Sequence, residues 1–378
     1  MKKVLFIYDA MHTLGGVQRT ISILSGDLAR RGYATTLLSR SKSESFVYAF
    51  HGRVVHAKRT SLDAATGDLI YRRKVLRSLN DHDVVIDYRA KADDDPLSVL
   101  AKSRRLDGRM ILAIRNATIE TYLGRDPVKA RSMFGGCRRI LCLTKEMQRD
   151  VADRYGLTNI TVIPNAIDTH EIDRLLAAEP PHDLPDRYVL ASGRLVHQKG
   201  FDILLHALRG STLERDGIKL VILGDGRDKD DLVALAQRLG LADKIVFRGF
   251  VANPFIYKKR AEFFVFPSRY EGFGNALLES LYCELPVVAF NCITGPGDFV
   301  IHETNGLLVE PFDRRQLMGS GRDDVRDEDV MNLRQTIDRM HMDADLRLSL
   351  RRQSRSSVEQ FRIEHIAEMY EQIFKDRA

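Results

Sequence analysis

A chain of 378 residues, 44% hydrophobic and 29% charged, has an ordinary globular composition and exceeds the ~250–300 residues at which a single core stops growing, so two domains are expected. The net charge of +6 is unevenly held: residues 1–165 carry 29 Lys and Arg against 17 Asp and Glu, a balance of +12, and the remainder has a balance of −6. No apolar run reaches the ~18 residues of a membrane span, no basic–aromatic interleaving points to nucleic acid, and Cys137, Cys142, Cys283 and Cys292 lack the C-x-x-C spacing of a zinc knuckle or redox pair.

The first apolar stretch, 3–8, is a strand too short for the core of a signal peptide. A helix over 16–31 follows, with Val17, Ile21, Leu24 and Leu28 on one face. Further buried strands are predicted at 33–39, 83–88, 110–115, 139–144 and 161–164, with helices such as 68–79 and 145–155 between them. Residues 177–187 (AAEPPHDLPDR) hold three prolines and no periodicity, which reads as a linker. The alternation then restarts. Strands are predicted at 188–192, 219–223, 244–248, 263–267, 286–290 and 307–309, helices at 201–208, 229–239 and 275–283, and a charged helical tail after 327 ends in 364–374. Strands alternating with helices define parallel sheets covered on both faces. The expected fold is therefore α/β, with two Rossmann-like doubly wound domains facing each other across a cleft, and ligands at the C-terminal edges of the strands.

Candidate chemistry lies in the turns at those edges. Gly15-Gly16 sits between the first strand and first helix, where a glycine lets a ligand approach the backbone and the helix N-terminus favours an anion. Glycines there also serve plain turn geometry. Gly193-Arg194 and Lys199-Gly200 follow the first strand of the second half, and an Arg and a Lys five residues apart can hold a pyrophosphate and the charge growing on a leaving group. Gly224-Asp225-Gly226 is a further tight turn, and Thr294-Gly295-Pro296-Gly297-Asp298 another. The most informative segment is 266–280, FPSRYEGFGNALLES. Glu271 falls in a Gly-rich loop, and Glu279 follows after seven residues on the buried side of an apolar helix. A buried carboxylate needs a partner, and a ribose diol is a good one. The amides of Gly272, Phe273, Gly274, Asn275 and Ala276 suit sugar hydroxyls and phosphate. Asp93-Asp94-Asp95 is the nearest approach to an acidic metal motif and reads as a loop or helix-start cluster.

These motifs together resemble glycosyltransferase family 4, the retaining enzymes of the GT-B fold, over nearly the whole chain and most strongly over 188–311. The resemblance implies an N-terminal acceptor-side domain over 1–175, with a helix at 360–378 crossing back onto it, and a donor domain over 186–359. It implies that Arg194 and Lys199 hold the donor diphosphate, that Glu271 contacts the donor sugar, and that Glu279 binds the ribose hydroxyls. Gly274, Asn275 and Ala276 would support sugar and phosphate, Gly193 and Gly16 (with Gly15) would approach the diphosphate, and Phe250 and Val251 would lie near the base. Many members carry a His in the loop after an N-terminal strand; here that stretch reads Ile114-Arg115-Asn116-Ala117-Thr118, leaving Arg115 or Asn116 as candidates for the sugar or acceptor, since neither His12 nor His197 matches the motif.

The implied reaction moves a hexose or N-acetylhexosamine from a UDP-sugar to a glycan or lipid-linked glycan in bacterial surface-polysaccharide assembly, giving an α-linkage, with no metal and no cofactor. A basic N-terminal half suits an anionic membrane surface, hence a cytoplasmic protein peripheral on the inner leaflet, or else a plainly solvated face. Alternatives are a wall teichoic acid glycosyltransferase, a GDP-sugar-dependent mannosyltransferase, a sugar-nucleotide epimerase on the same fold, which needs no acceptor, and a non-catalytic nucleotide-sugar-binding subunit, which would not need the two Glu and two basic residues.

Overall fold

The computed structural model describes residues 1–13, 15–39, 46–57, 69–90, 108–179, 181–319 and 325–376. The chain divides into two compact units, one of residues 1–167 with 361–378 and one of 168–360.

The first unit is built on a seven-stranded parallel sheet: β1 (Lys3–Ile7), β2 (Ala34–Ser39), β3 (Arg53–His56), β4 (Val84–Asp87), β5 (Met110–Ala113), β6 (Arg139–Cys142) and β7 (Ile160–Val162), in the order β3-β2-β1-β4-β5-β6-β7. The strands are short Val/Ile/Leu runs, buried on both faces because crossover helices cover them. Val4, Phe6, Leu37, Ile86 and Ile111 meet Ile21, Leu24 and Leu28 of the helix Gly16–Arg30 in one core. The helix Ile363–Lys375 joins that core through Ile363, Ile366, Ala367, Tyr370, Ile373 and Phe374. It is tied by backbone bonds on both sides of Ile167, whose N–H donates to Phe361 O at 2.8 Å and whose carbonyl accepts from Ile363 N at 3.0 Å.

The second unit holds a six-stranded parallel sheet: β8 (Tyr188–Ser192), β9 (Lys219–Leu223), β10 (Ile245–Gly249), β11 (Phe264–Phe266), β12 (Val287–Phe290) and β13 (Gly306–Val309), in the order β10-β9-β8-β11-β12-β13. In each sheet the strand order reverses beside the first strand, between β1 and β4 and between β8 and β11. That reversal opens a crevice at the C-terminal edge.

Two differences from the sequence reading have local causes. β3 is absent from the predicted strands because Arg53-Val54-Val55-His56 is an edge strand, half exposed and without a buried run. The division between units falls at 167/168 rather than within 177–187. The Asp168 carboxylate caps the helix Thr169–Leu176 by accepting from Glu171 N at 3.0 Å. That helix packs in the second unit, where its C-terminal carbonyls accept from Asn253 Nδ2 (2.8 Å, Leu175 O) and Lys259 Nζ (3.3 Å, Leu176 O).

Candidate functional site

In the second unit the site grows from the turns after β8, β9 and β11. Gly193 N–H donates to Leu223 O at 3.0 Å and Gly224 N–H to Gly249 O at 2.7 Å, so the ends of β8, β9 and β10 are laced together. From this base the segment 194–200 loops out to the end of β11. Gly200 closes it with φ +65°, and a Cβ there would stand 1.9 Å from Pro267 O. Only glycine permits both the left-handed backbone and that approach.

A buried guanidinium holds the two loops together. Arg269 is fully buried and grips the Asp202 carboxylate with both terminal nitrogens, at 2.7 and 2.6 Å, while Nη1 also donates to His197 O at 2.9 Å. Arg269 N–H donates to Gln198 O at 2.8 Å and Gln198 Nε2 to Tyr270 O at 2.9 Å. This bidentate pair is a rigid, charge-assisted fixture, and nothing in the sequence pattern signals it, because its partners are 67 residues apart. Its effect is to set Lys199 beside Glu271, Nζ to Oε1 at 2.5 Å, both side chains largely buried. Phe266 lies under the ammonium, 5.3 Å from Nζ to the ring centre. Arg194, at the start of the same loop, is exposed and makes no ion pair among the described residues.

Glu271 is held from below as well. Thr294 Oγ1 donates to Glu271 O, and the rings of Phe273 and Phe299 meet at 4.9 Å. Thr294 takes φ +60°, an uncommon conformation for a β-branched residue. The strand end beneath is fixed by Arg314, which donates to Asn291 O at 2.7 Å and Cys292 O at 2.8 Å, and burial pushes the Cys292 thiol well above its usual range. Cys142 and Cys283 are likewise pushed up to about 12 by burial.

The helix Asn275–Tyr282 begins at Gly274, which has φ +102° and no side chain to cap it. Such an end attracts anions. Gly272 and Asn275 are half-buried at this end and Ala276 stands in the first turn. One turn on, Glu279 is buried, with Lys258 Nζ 3.8 Å from Oε2. Phe250, just past β10, is 58% exposed, and Val251 beside it is half-buried. The second unit thus brings Gly193, Arg194, Lys199, Glu271, Gly274–Ala276 and Glu279 to the C-terminal edge of one sheet.

In the first unit Gly15 precedes the helix Gly16–Arg30 with extended backbone and no side-chain cap. Gln18, buried behind it, donates to Ala10 O (2.9 Å) and Thr13 Oγ1 (2.6 Å). Arg115 does not project from its loop. It is buried, donates to Asn165 Oδ1 at 3.2 Å and to Tyr370 Oη, and lies 5.1 Å from the centre of the Tyr88 ring. Burial draws its pKa down, the Tyr370 and Tyr88 hydroxyls push it up, and the net direction is up. Asn116 is half-buried, its side-chain oxygen accepting from Thr118 N at 3.2 Å. Beside them Arg89 closes a second buried bidentate pair with Asp87 at the end of β4, at 2.9 and 2.7 Å, also missed in the sequence.

Among the described residues no group of three His, Cys, Asp or Glu could hold a metal ion, and no helix is long and apolar enough to cross a membrane. Asp93–Asp95 lie outside the described residues.

Two parallel sheets with this strand order define two doubly wound α/β units, the second carrying a basic and acidic pair beside the start of a helix at its strand edge. The family model for glycosyl transferases group 1 matches residues 173–337, and that for glycosyltransferase family 4 matches residues 14–171. The chain belongs to these glycosyltransferases of the GT-B fold. It is 30% identical over 267 residues to an uncharacterized glycosyltransferase of Methanocaldococcus jannaschii, the match covering 63% of this chain and 65% of that one. It is 37% identical over 194 residues to the N-acetylgalactosamine-N,N'-diacetylbacillosaminyl-diphospho-undecaprenol 4-alpha-N-acetylgalactosaminyltransferase of Campylobacter jejuni, covering 51% of this chain and 52% of the relative. The matched region thus spans between about half and two thirds of these relatives' length. The fold is similar to that of Anabaena HepE, solved in complex with UDP and glucose, with a TM-score of 0.73 and 17% identity over 98% of this chain and 99% of that one.

Proposed function

We propose that this chain transfers a hexosyl or N-acetylhexosaminyl unit from a UDP-sugar to a glycan or lipid-linked glycan in the assembly of a bacterial surface polysaccharide. The observation that carries this reading is the Lys199–Glu271 pair, 2.5 Å apart, set by the buried Arg269 clamp beside the uncapped N-terminus of the helix Asn275–Tyr282. The diphosphate of the donor would displace Glu271 from Lys199, leaving the ammonium and Arg194 to take the charge that develops on the leaving group. Freed, the Glu271 carboxylate accepts from donor-sugar hydroxyls. The helix amides at Gly274–Ala276 add dipolar stabilisation, Glu279 accepts from the ribose hydroxyls, and the exposed Phe250 ring with Val251 offers a face for the base. The Campylobacter relative's polyprenyl-diphosphate-linked substrate and the complex of Anabaena HepE with UDP support this choice of acceptor and donor class.

Transfer would proceed with retention, giving an α-linkage, with the departing diphosphate taking the acceptor proton on the same face of the sugar. Such a step uses neither an enzymic nucleophile nor a metal ion, provided the basic residues carry the charge. The deciding experiment is thermal unfolding in the presence of UDP, GDP and their sugars, since a ligand at ~100 times its dissociation constant adds roughly 2.7 kcal/mol. Protection by UDP-sugars, followed by transfer only when a glycan acceptor is present, is the expected result. Conversion of the sugar nucleotide without acceptor would make the chain an epimerase, and protection by GDP-sugars alone would move the donor class.

A further inference from the structure

Three basic residues, Lys258-Lys259-Arg260, stand in a row in the second unit. The structure separates them. Lys259 and Arg260 are exposed, whereas Lys258 is 1% exposed, at the inner side of the helix Phe255–Arg260. Its ammonium reaches the helix Asn275–Tyr282, donating to Ala276 O at 2.6 Å and Ser280 Oγ at 2.9 Å, with the Phe264 ring centre 4.9 Å away. The carboxylate that answers its charge is Glu279, at 3.8 Å to Oε2. An ammonium this deeply buried is strongly unfavourable unless a counter-charge stands near it. The pair is asymmetric: the ammonium is enclosed, and the Glu279 side chain, one turn into the helix, retains 11% exposure.

We infer that Lys258 is a positioning residue for nucleotide binding, drawing the Glu279 carboxylate through Oε2 so that it is directed to the vicinal hydroxyls of the donor's ribose. This rests on the nucleotide-donor reading above. The argument is geometric. A lone Glu on the first turns of a helix samples several rotamers, and each costs affinity when a single one must accept from a diol. Lys258 is itself held by two hydrogen bonds to the same helix, at Ala276 and Ser280, so its charge defines one direction for the carboxylate. A lysine serving only to anchor the helix would support every ligand contact of that helix alike. A lysine acting through Glu279 affects the ribose contact specifically.

The experiment is a double-mutant cycle read by calorimetric titration with UDP and with 2′-deoxy-UDP, on wild type, K258M, E279Q and K258M/E279Q, with folding checked by circular dichroism. K258M is expected to weaken UDP binding roughly tenfold, the size of one hydrogen bond to a charged group. It should barely affect 2′-deoxy-UDP, so the preference for the ribonucleotide collapses as it does in E279Q. In the E279Q background the same substitution should change UDP affinity by less than about twofold, because coupled residues are not additive. Equal losses for both nucleotides, or equal losses in both backgrounds, would leave Lys258 a plain helix anchor and overturn the inference. Should K258M fail to fold, Ser280→Ala removes one of the bonds that aim the ammonium and carries the same expectation at about threefold. If the wild type takes GDP rather than UDP, the cycle runs on GDP and 2′-deoxy-GDP. Failure of the wild type to bind either nucleotide would overturn the donor reading itself.

Discussion

At the scale of single residues, the two cations of the loop 194–200 occupy different environments and should contribute differently. Lys199 is largely buried and already paired with Glu271, whereas Arg194 is exposed. Electrostatic stabilisation of a leaving group is strongest where water is excluded. Lys199→Ala should therefore lower kcat about a hundredfold, and Arg194→Ala about tenfold, with the donor's KM changing less than kcat in both. Steady-state kinetics with saturating acceptor reads both, and near-wild-type kcat in folded Lys199→Ala would remove the residue from the leaving-group role. Asp202 contributes differently, through stability. Truncating it removes the carboxylate that the fully buried Arg269 guanidinium grips with both terminal nitrogens, and breaking such a pair costs about 3–5 kcal/mol. Asp202→Ala should lower the unfolding temperature markedly, and a shift within 1 °C would mean that Arg269 finds another partner. Chemically, Glu271 and Glu279 are legible in the sequence because one unbroken segment presents loop, spacing and apolar helix together. Asp202 with Arg269, Asp87 with Arg89, and Lys258 with Glu279 are not. The last hides in a basic run, the first joins loops far apart in the chain, and all three depend on which side chains a parallel sheet brings to one edge. Arg115 misleads for the converse reason. Its neighbours read as a polar loop, but Asn165, Tyr88 and Tyr370, which enclose it, are contributed by three other segments.

At the scale of elements, the strongly buried strands are recovered from the sequence because parallel strands covered on both faces are continuous apolar runs, and β3 is lost because an edge strand is not. The helix Ile363–Lys375 illustrates how far an element's context exceeds its pattern. Its apolar face is visible in the sequence, and its place is set by contacts at least 342 residues away in the chain, against Val4, Phe6 and Ile21. Lys2 Nζ donates to Phe374 O at 2.9 Å, and Arg31 joins the same helix at Glu371 (3.2 Å) and Glu364 O (3.0 Å). Deleting residues 361–378 should expose that face of the first unit's core, which surface ion pairs cannot offset. The truncated chain is expected to lose a cooperative unfolding transition and bind a hydrophobic dye, while a full-length chain with Arg31→Ala keeps its transition and shifts it only slightly. Retention of a sharp, wild-type transition by the truncated chain would mean that the first unit's core is complete without the helix.

At the scale of the whole molecule, two consequences of composition can be tested without knowing the sugar. The first is metal dependence. If Arg194, Lys199 and the helix amides carry the leaving-group charge, activity should survive EDTA at millimolar excess, and loss with rescue by magnesium or manganese would contradict the proposed division of labour. The second is membrane association, which follows from the +12 balance of residues 1–165. On the helix Leu69–Asn80, Arg73 and Arg77 are exposed and one turn apart, so they share a side, although Arg77 stands 3.8 Å from Asp81 and Lys74 is drawn to His56 O. An anionic leaflet attracts exposed cations individually and additively. The attraction is screened over about 10 Å at 0.1 M salt and about 3 Å at 1 M. Sedimentation with vesicles should therefore bring the protein down with anionic lipid at low salt, release it at 1 M salt, and leave it in the supernatant with neutral lipid throughout. The double substitution Arg73→Glu with Arg77→Glu should shift half-binding to a higher anionic-lipid fraction without altering UDP affinity, because the donor-binding candidates lie in the second unit and this helix belongs to the first. Binding that is equal on neutral and anionic vesicles would point to an apolar contact instead, and absence of binding to either would make the basic half an ordinary solvated surface and a soluble glycan the better acceptor.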